Sequence, residues 1–329
     1  MGIRHLALDG SQKEYAAVIL DRILLSALRV AMNFRCDGQP QLDYFPASAY
    51  GANEELFSFH SGKNLLRGGK YFVPRPSYRG VVVFFHGVGA GRSAYTQEIC
   101  AFAKEGYLVY AYDNTGCMTS EGQGIGNLAQ SLLDQKAFFA FLDEQKEVAG
   151  LPRYAVGHSW GGYTAFGAMN PAYHVDKVIS ISGFVSLPKM LISQAPALGK
   201  FEGLLKKALK RGYGSMAGEE MTEIIAKSNA KLLYIQGELD TMVPKKGNYD
   251  VLERRFQNDE RVRLRLVKGA MHNPYWDHEA ERYSRVLGKD KRLFARDYDV
   301  TTKVCYEHLN HDDPAILREM FDFLEEERP

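Results

Sequence analysis

The chain has no apolar run approaching the roughly 20 residues needed to cross a bilayer, so stable membrane insertion is not expected. Nothing near the N-terminus combines a basic stretch, an apolar core and a small-residue cleavage site, so no secretory leader is expected. The four cysteines, Cys36, Cys100, Cys117 and Cys305, show neither C-x-x-C nor metal spacing, which fits a reduced, cytoplasmic protein. Neither sign of charge dominates. The formal net charge is +1 with no long block of one sign, and neither nucleic acid nor a polyanionic partner is indicated. The nine histidines include no H-x-x-x-H pair, and no metal is indicated. There is no G-x-x-x-x-G-K-[ST] either. Gly87, Gly89 and Gly91 miss the dinucleotide fingerprint, because the third glycine is misplaced and no acidic partner follows a second strand. No cofactor is expected.

What remains is an ordinary globular composition, 45% hydrophobic and 25% charged over 329 residues. That length suggests about two domains as a soft prior, although α/β folds often exceed it as one unit. It is ample for a large core.

One stretch organises the rest. Residues 154–156, Tyr-Ala-Val, read as a buried strand, Gly157, Ser159 and Gly161 follow as G-x-S-x-G, and residues 163–169 read as a helix. A serine on so sharp a strand-to-helix turn takes strained backbone angles, and its neighbours approach closely, so residues without a Cβ flank it. The turn lifts the hydroxyl above the sheet edge, as a nucleophile elbow does.

Acyl transfer also needs a base, a group to orient it and donors for an oxyanion. Upstream, the apolar run 81–85 ends in His86-Gly87-Val88-Gly89, a small-residue turn able to offer backbone N–H groups. Downstream, the apolar run 231–237 leads to Asp240, and residues 262–267, alternating apolar and basic, lead to His272. Serine, aspartate and histidine thus each follow the carboxyl end of a strand. Glu238 is a rival acid and His311 a rival base. His86 and His158 read as structural hydrogen-bonders packed into their turns.

On these motifs the sequence resembles the α/β-hydrolase superfamily of serine hydrolases, over roughly residues 55 to 275. The resemblance implies Ser159 as nucleophile, His272 as general base and Asp240 as its orienter. It implies an oxyanion hole formed by the backbone N–H groups of Trp160 and Val88. The loop Asp113-Asn114-Thr115-Gly116-Cys117-Met118 is similar to the family's D-x-R-G-x-G loop, but Thr115 stands for the arginine and Met118 for a glycine. Asp113 reads as a brace for that loop. Related branches are monoacylglycerol-lipase-like esterases and prolyl-aminopeptidase-like peptidases. The implied reaction is carboxylic ester hydrolysis on a small acyl substrate. The alternatives are an aminopeptidase, amidase or thioesterase with the same triad, an acyltransferase, or a non-catalytic binding module.

The expected architecture is a mostly parallel sheet with helices on both faces. Residues 1–54 form an N-terminal extension, with an amphipathic helix at 13–32 that docks on the domain or on a partner subunit, leaving a homodimer open, and an irregular connector at 42–53. Strands at 55–60 and 70–73 make an antiparallel entry hairpin. Residues 55–186 and 231–329 form the core. Residues 187–230, where the strand–helix rhythm lapses, make a helical cap with helices at 187–194, 200–211 and 216–227. The stretch 275–309 reads as an insertion before a closing helix at 314–327.

Overall fold

The computed structural model describes residues 34–38, 44–287, 309 and 311–326, together with positions 19, 22, 23, 26 and 27. Most of the helix expected at 13–32 and most of 288–310 lie outside these residues.

Eight strands form one sheet in the order β1-β2-β4-β3-β5-β6-β7-β8. The first two, β1 (Asn53–Ser61) and β2 (Asn64–Phe72), pair antiparallel, and β2 also runs antiparallel to β4 (Leu108–Tyr112). The rest is parallel: β3 (Val81–Phe85) between β4 and β5 (Arg153–His158), then β6 (Lys177–Ile181), β7 (Lys231–Gly237) and β8 (Val262–Val267). The parallel strands are apolar on both faces because helices cover both. Val81, Val83, Phe85 and Tyr234 face one core, while Val82, Phe84, Val156 and Ile235 face the other.

Helix α1 (Thr96–Lys104) and the final helix (Pro314–Glu325) cover the second face through Ile99, Phe102, Ile316 and Phe321. Helices α2 (Gln130–Asp143) and α3 (Trp160–Ala168) cover the first through Phe138, Trp160 and Phe166. Edge strand β8 carries Arg263 and Arg265 outward to Glu326 and Glu319, a charged edge of the kind that resists further pairing. Asp313 caps the final helix, its carboxylate accepting from the Ala315 N–H with Pro314 in the first turn.

Between β6 and β7 lie four α-helices, Leu187–Gln194, Glu202–Tyr213, Ser215–Gly218 and Met221–Lys227, with a 3-10 turn, Pro196–Phe201, after the first. The single helix expected at 216–227 is broken after Gly218. There the backbone lies against Lys206, where a Cβ would sit 2.3 Å from its carbonyl oxygen, and Glu219 and Glu220 are extended. The connector expected at 42–53 contains a short 3-10 turn, Ala47–Tyr50. No helix among the described residues is long and apolar enough to cross a membrane.

Candidate active site

The elbow is built by crowding. Ser159 has φ 57° and ψ −117°, well outside the helical region it introduces. A Cβ on Gly157 would fall 2.2 Å from the Gly161 carbonyl oxygen, and one on Gly161 would fall 1.9 Å from that of Phe85. Only glycine permits these approaches, and together they hold Ser159 in its strained turn. The Ser159 N–H donates to Ile181 O at 2.8 Å, tying the turn to the neighbouring strand.

Three side chains from separate loops meet there. Ser159 Oγ lies 2.9 Å from His272 Nε2, and His272 Nδ1 lies 2.9 Å from Asp240 Oδ2. The other Asp240 oxygen accepts the N–H groups of Met242 (2.8 Å) and Val243 (2.9 Å). Burial raises the pKa of the Asp240 carboxyl, but the His272 hydrogen bond and charge and these two N–H groups outweigh it and hold it below the usual carboxylate range. An ionised carboxylate so placed favours the Nδ1–H tautomer of His272, which leaves Nε2 free to accept the serine proton.

The rivals go elsewhere. Glu238 accepts the Gly269 N–H, and His311 sits 3.5 Å from Asp277. Among the described residues, no hydrogen bond takes up the backbone N–H of Trp160 or of Val88. The neighbouring Gly87 N–H is occupied, donating to the Tyr95 hydroxyl.

That hydroxyl begins a relay. Tyr95 Oη lies 2.9 Å from His158 Nδ1, and His158 Nε2 lies 2.9 Å from the carbonyl oxygen of His272. One assignment satisfies every group: the Gly87 N–H donates to Tyr95, Tyr95 O–H to His158 Nδ1, and His158 Nε2–H to the His272 carbonyl. Burial, with the His272 charge beside it, lowers the His158 pKa to about 3, so the ring stays neutral. His158 therefore ties the turn holding Val88 to the loop holding His272. Sequence reasoning placed His158 as a hydrogen-bonder, but Tyr95 carried no motif that could have announced it.

His86 works in the same way one turn earlier. Its Nδ1 contacts Gly87 O at 2.6 Å and its Nε2 accepts the Asn114 N–H at 3.0 Å, while burial keeps it neutral. Asp113 braces its loop as the sequence suggested, accepting from the Arg92 backbone and guanidinium and from Thr119. Thr115, at the position of the family arginine, binds Asp134 through its N–H and hydroxyl. A guanidinium reaches this loop from elsewhere: Arg35 donates to the carbonyls of Met118 (2.7 Å) and Gly122 (2.6 Å).

Among the described residues no three His, Cys, Asp or Glu side chains gather as a metal site. A cavity of about 410 Å3 adjoins the cluster, with Val88 and Asn273 in its wall beside Phe34, Tyr44 and Trp276.

Comparison with known proteins agrees with this architecture. The family model described as serine aminopeptidase, S33, matches residues 76–216. A monoacylglycerol lipase of Mycolicibacterium smegmatis is 25% identical over 245 residues, covering 63% of this chain and 86% of that one. An esterase from Pyrococcus furiosus superposes with a TM-score of 0.56 at 18% identity, over 78% of this chain and 97% of that one. The acylaminoacyl peptidase of Pyrococcus horikoshii superposes at 0.51 and 18% identity, over 67% of this chain and 37% of that one.

Sheet order, elbow and relatives together define an α/β-hydrolase fold. The matches support a serine hydrolase of this fold, an enzyme of the carboxylesterase-like kind.

Proposed function

We propose that the protein cleaves carboxylic esters through an acyl-enzyme on Ser159. The observation that carries this reading is the continuous hydrogen-bonded path from Ser159 Oγ through His272 to Asp240 on a strained elbow. His272 Nε2 takes the hydroxyl proton as Ser159 Oγ attacks the carbonyl carbon. The oxyanion receives the N–H groups of Val88 and Trp160, each such donor contributing about 3–4 kcal/mol of transition-state stabilisation. His272 then returns the proton to the departing alcohol. Water, deprotonated by the same ring, releases the acid. Asp240 holds the ring's tautomer and stabilises the imidazolium that forms at each step.

Amide cleavage is the second reading, favoured by the match to the serine aminopeptidase model. Holding a substrate's free amine needs an unengaged carboxylate above the site. In the helical interval between β6 and β7, which we assign as a cap, Glu219 pairs with Lys210, Glu220 with Lys189 and Glu223 with Arg255. These pairings support the ester reading, and the monoacylglycerol lipase relative supports glycerol monoesters among the substrates. The test is a panel of aryl esters of increasing chain length, a monoacylglycerol and amino-acid anilides. Turnover of the esters with little on the anilides is expected. Preferential cleavage of an N-terminal amino-acid anilide would overturn the ester assignment.

A further inference from the structure

Two cysteines far apart in the sequence face each other beside the turn that holds Val88. The Cys36 N–H donates to Gly116 O at 3.0 Å, and the Met118 N–H donates to Cys36 O at 3.1 Å. Cys36 and Cys117 are thereby paired as neighbours are in a parallel ladder. Backbones so paired run about 4.8 Å apart, inside the roughly 4.4–6.8 Å Cα separation that a disulfide spans. Both cysteines are buried and both are free thiols.

The two sulfurs are chemically unequal. The contact with the Cys117 sulfur and a hydrogen bond from the Gly89 N–H outweigh burial and lower the Cys36 pKa to about 7, whereas the Cys117 thiol, which faces the Thr115 carbonyl, is pushed up by the same contact and by burial. Cys36, though buried, also contributes to the wall of the cavity shared with Val88 and Asn273. Cys100 is the internal contrast. It is buried against Ala47, and burial raises its pKa to about 12. A thiolate at a cavity wall, beside a second thiol able to resolve it, is the arrangement that favours selective oxidation.

We propose that Cys36 and Cys117 form a redox-modification site, at which a small hydroperoxide entering this cavity converts the two thiols into an intrachain disulfide. The Cys36 thiolate attacks the nearer peroxide oxygen, the O–O bond breaks, and the leaving hydroxide takes a proton to become water. The sulfur of Cys117 then attacks the Cys36 sulfenic acid, the S–O bond breaks, and a second water leaves. Two thiols lose two electrons and two protons, and one peroxide becomes two waters. The bond staples residues 34–38 to the loop that carries Asp113, next to the turn that carries Val88.

The test needs no assay of esterase activity, so its outcome is separate from that of the proposed reaction. The reduced full-length protein is treated with one equivalent of hydrogen peroxide and mapped by non-reducing peptide mass spectrometry. A cross-linked 36–117 peptide, loss of two free thiols, reversal by dithiothreitol and a rise of several degrees in Tm are expected. In Cys117→Ser, a dimedone label should accumulate on Cys36, and in Cys36→Ser Cys117 should stay unmodified. Absence of the 36–117 peptide in the folded wild-type protein, or oxidation of Cys100 or Cys305 before Cys36, overturns the proposal. The wild-type map decides the matter even if a variant fails to fold.

Discussion

The rim around Ser159 and the helices between β6 and β7 are held in place by different physics. At the rim, contacts are buried and backbone-anchored: glycines where an added Cβ would fall about 2 Å from a carbonyl oxygen, the Tyr95–His158–His272 relay, and Asp240 held by two N–H groups. In the helical interval the charged contacts lie at the surface, as in Lys189–Glu220, Lys206–Glu202 and Lys210–Glu219. Exposed ion pairs contribute little, about 0–1 kcal/mol each. Unpaired buried groups cost more, about 1–3 kcal/mol for a neutral one. The rim is therefore expected to tolerate little change, and the interval much.

That contrast is sharpened first by Asp240→Asn. The change keeps the shape of the side chain but favours the wrong His272 tautomer, and a loss of about ten-thousand-fold in kcat is expected with the fold retained. A small kcat effect measured on an ester substrate would break the picture of the rim.

Next comes His158→Leu. It leaves the Tyr95 hydroxyl and the His272 carbonyl without their partner, and about 1–3 kcal/mol of stability should be lost in urea unfolding, with kcat falling more than KM rises. An unchanged kcat would mean that the relay does not position the His272 loop.

The buried pair behind the rim titrates in the opposite sense to Asp240. Burial, with the neighbouring Asp312 charge, raises the Glu98 carboxyl well above its usual range, and burial likewise raises that of Asp312. A carboxyl whose folded pKa is raised contributes stability that is fully present below the ordinary carboxyl range of about 4 and is lost as pH rises through the folded value. The wild-type Tm should therefore contain a component that falls between about pH 4 and neutrality. Glu98→Gln should flatten it. A steeper fall in the variant would mean that the fold favours Glu98 as a carboxylate.

The smallest effect is expected in the helical interval. Glu219→Gln removes only the partner of Lys210, and less than about 1 kcal/mol of stability should change, with turnover near wild type. A large loss of activity there would show that the interval is as constrained as the rim.

The same contrast explains what could be read from the sequence. Val81–Phe85, Lys231–Gly237 and Val262–Val267 stood out with their observed bounds, because buried parallel strands read as unbroken apolar runs and edge strands as alternating ones. Ser159, Asp240 and His272 followed from strand ends and loop chemistry. Strand β2 was legible only in its second half, since Arg67, Gly68 and Gly69 mask its period, the two glycines sitting where Phe57 and Glu54 press against the strand. The break at Gly218 was hidden because its cause is a tertiary contact with Lys206. Tyr95 with His158, Arg35 with the Met118 loop, and Cys36 with Cys117 join segments that carry no shared period or spacing. Such pairs exist only once the chain has folded.

The central claim is that Ser159 is an activated nucleophile. The most direct measurement is covalent labelling of the folded protein with a fluorophosphonate, followed by peptide mass spectrometry. One adduct is expected, on Ser159, formed far more slowly in His272→Ala and absent in Ser159→Ala. A folded protein that takes up no label, or takes it up at another residue, would contradict it.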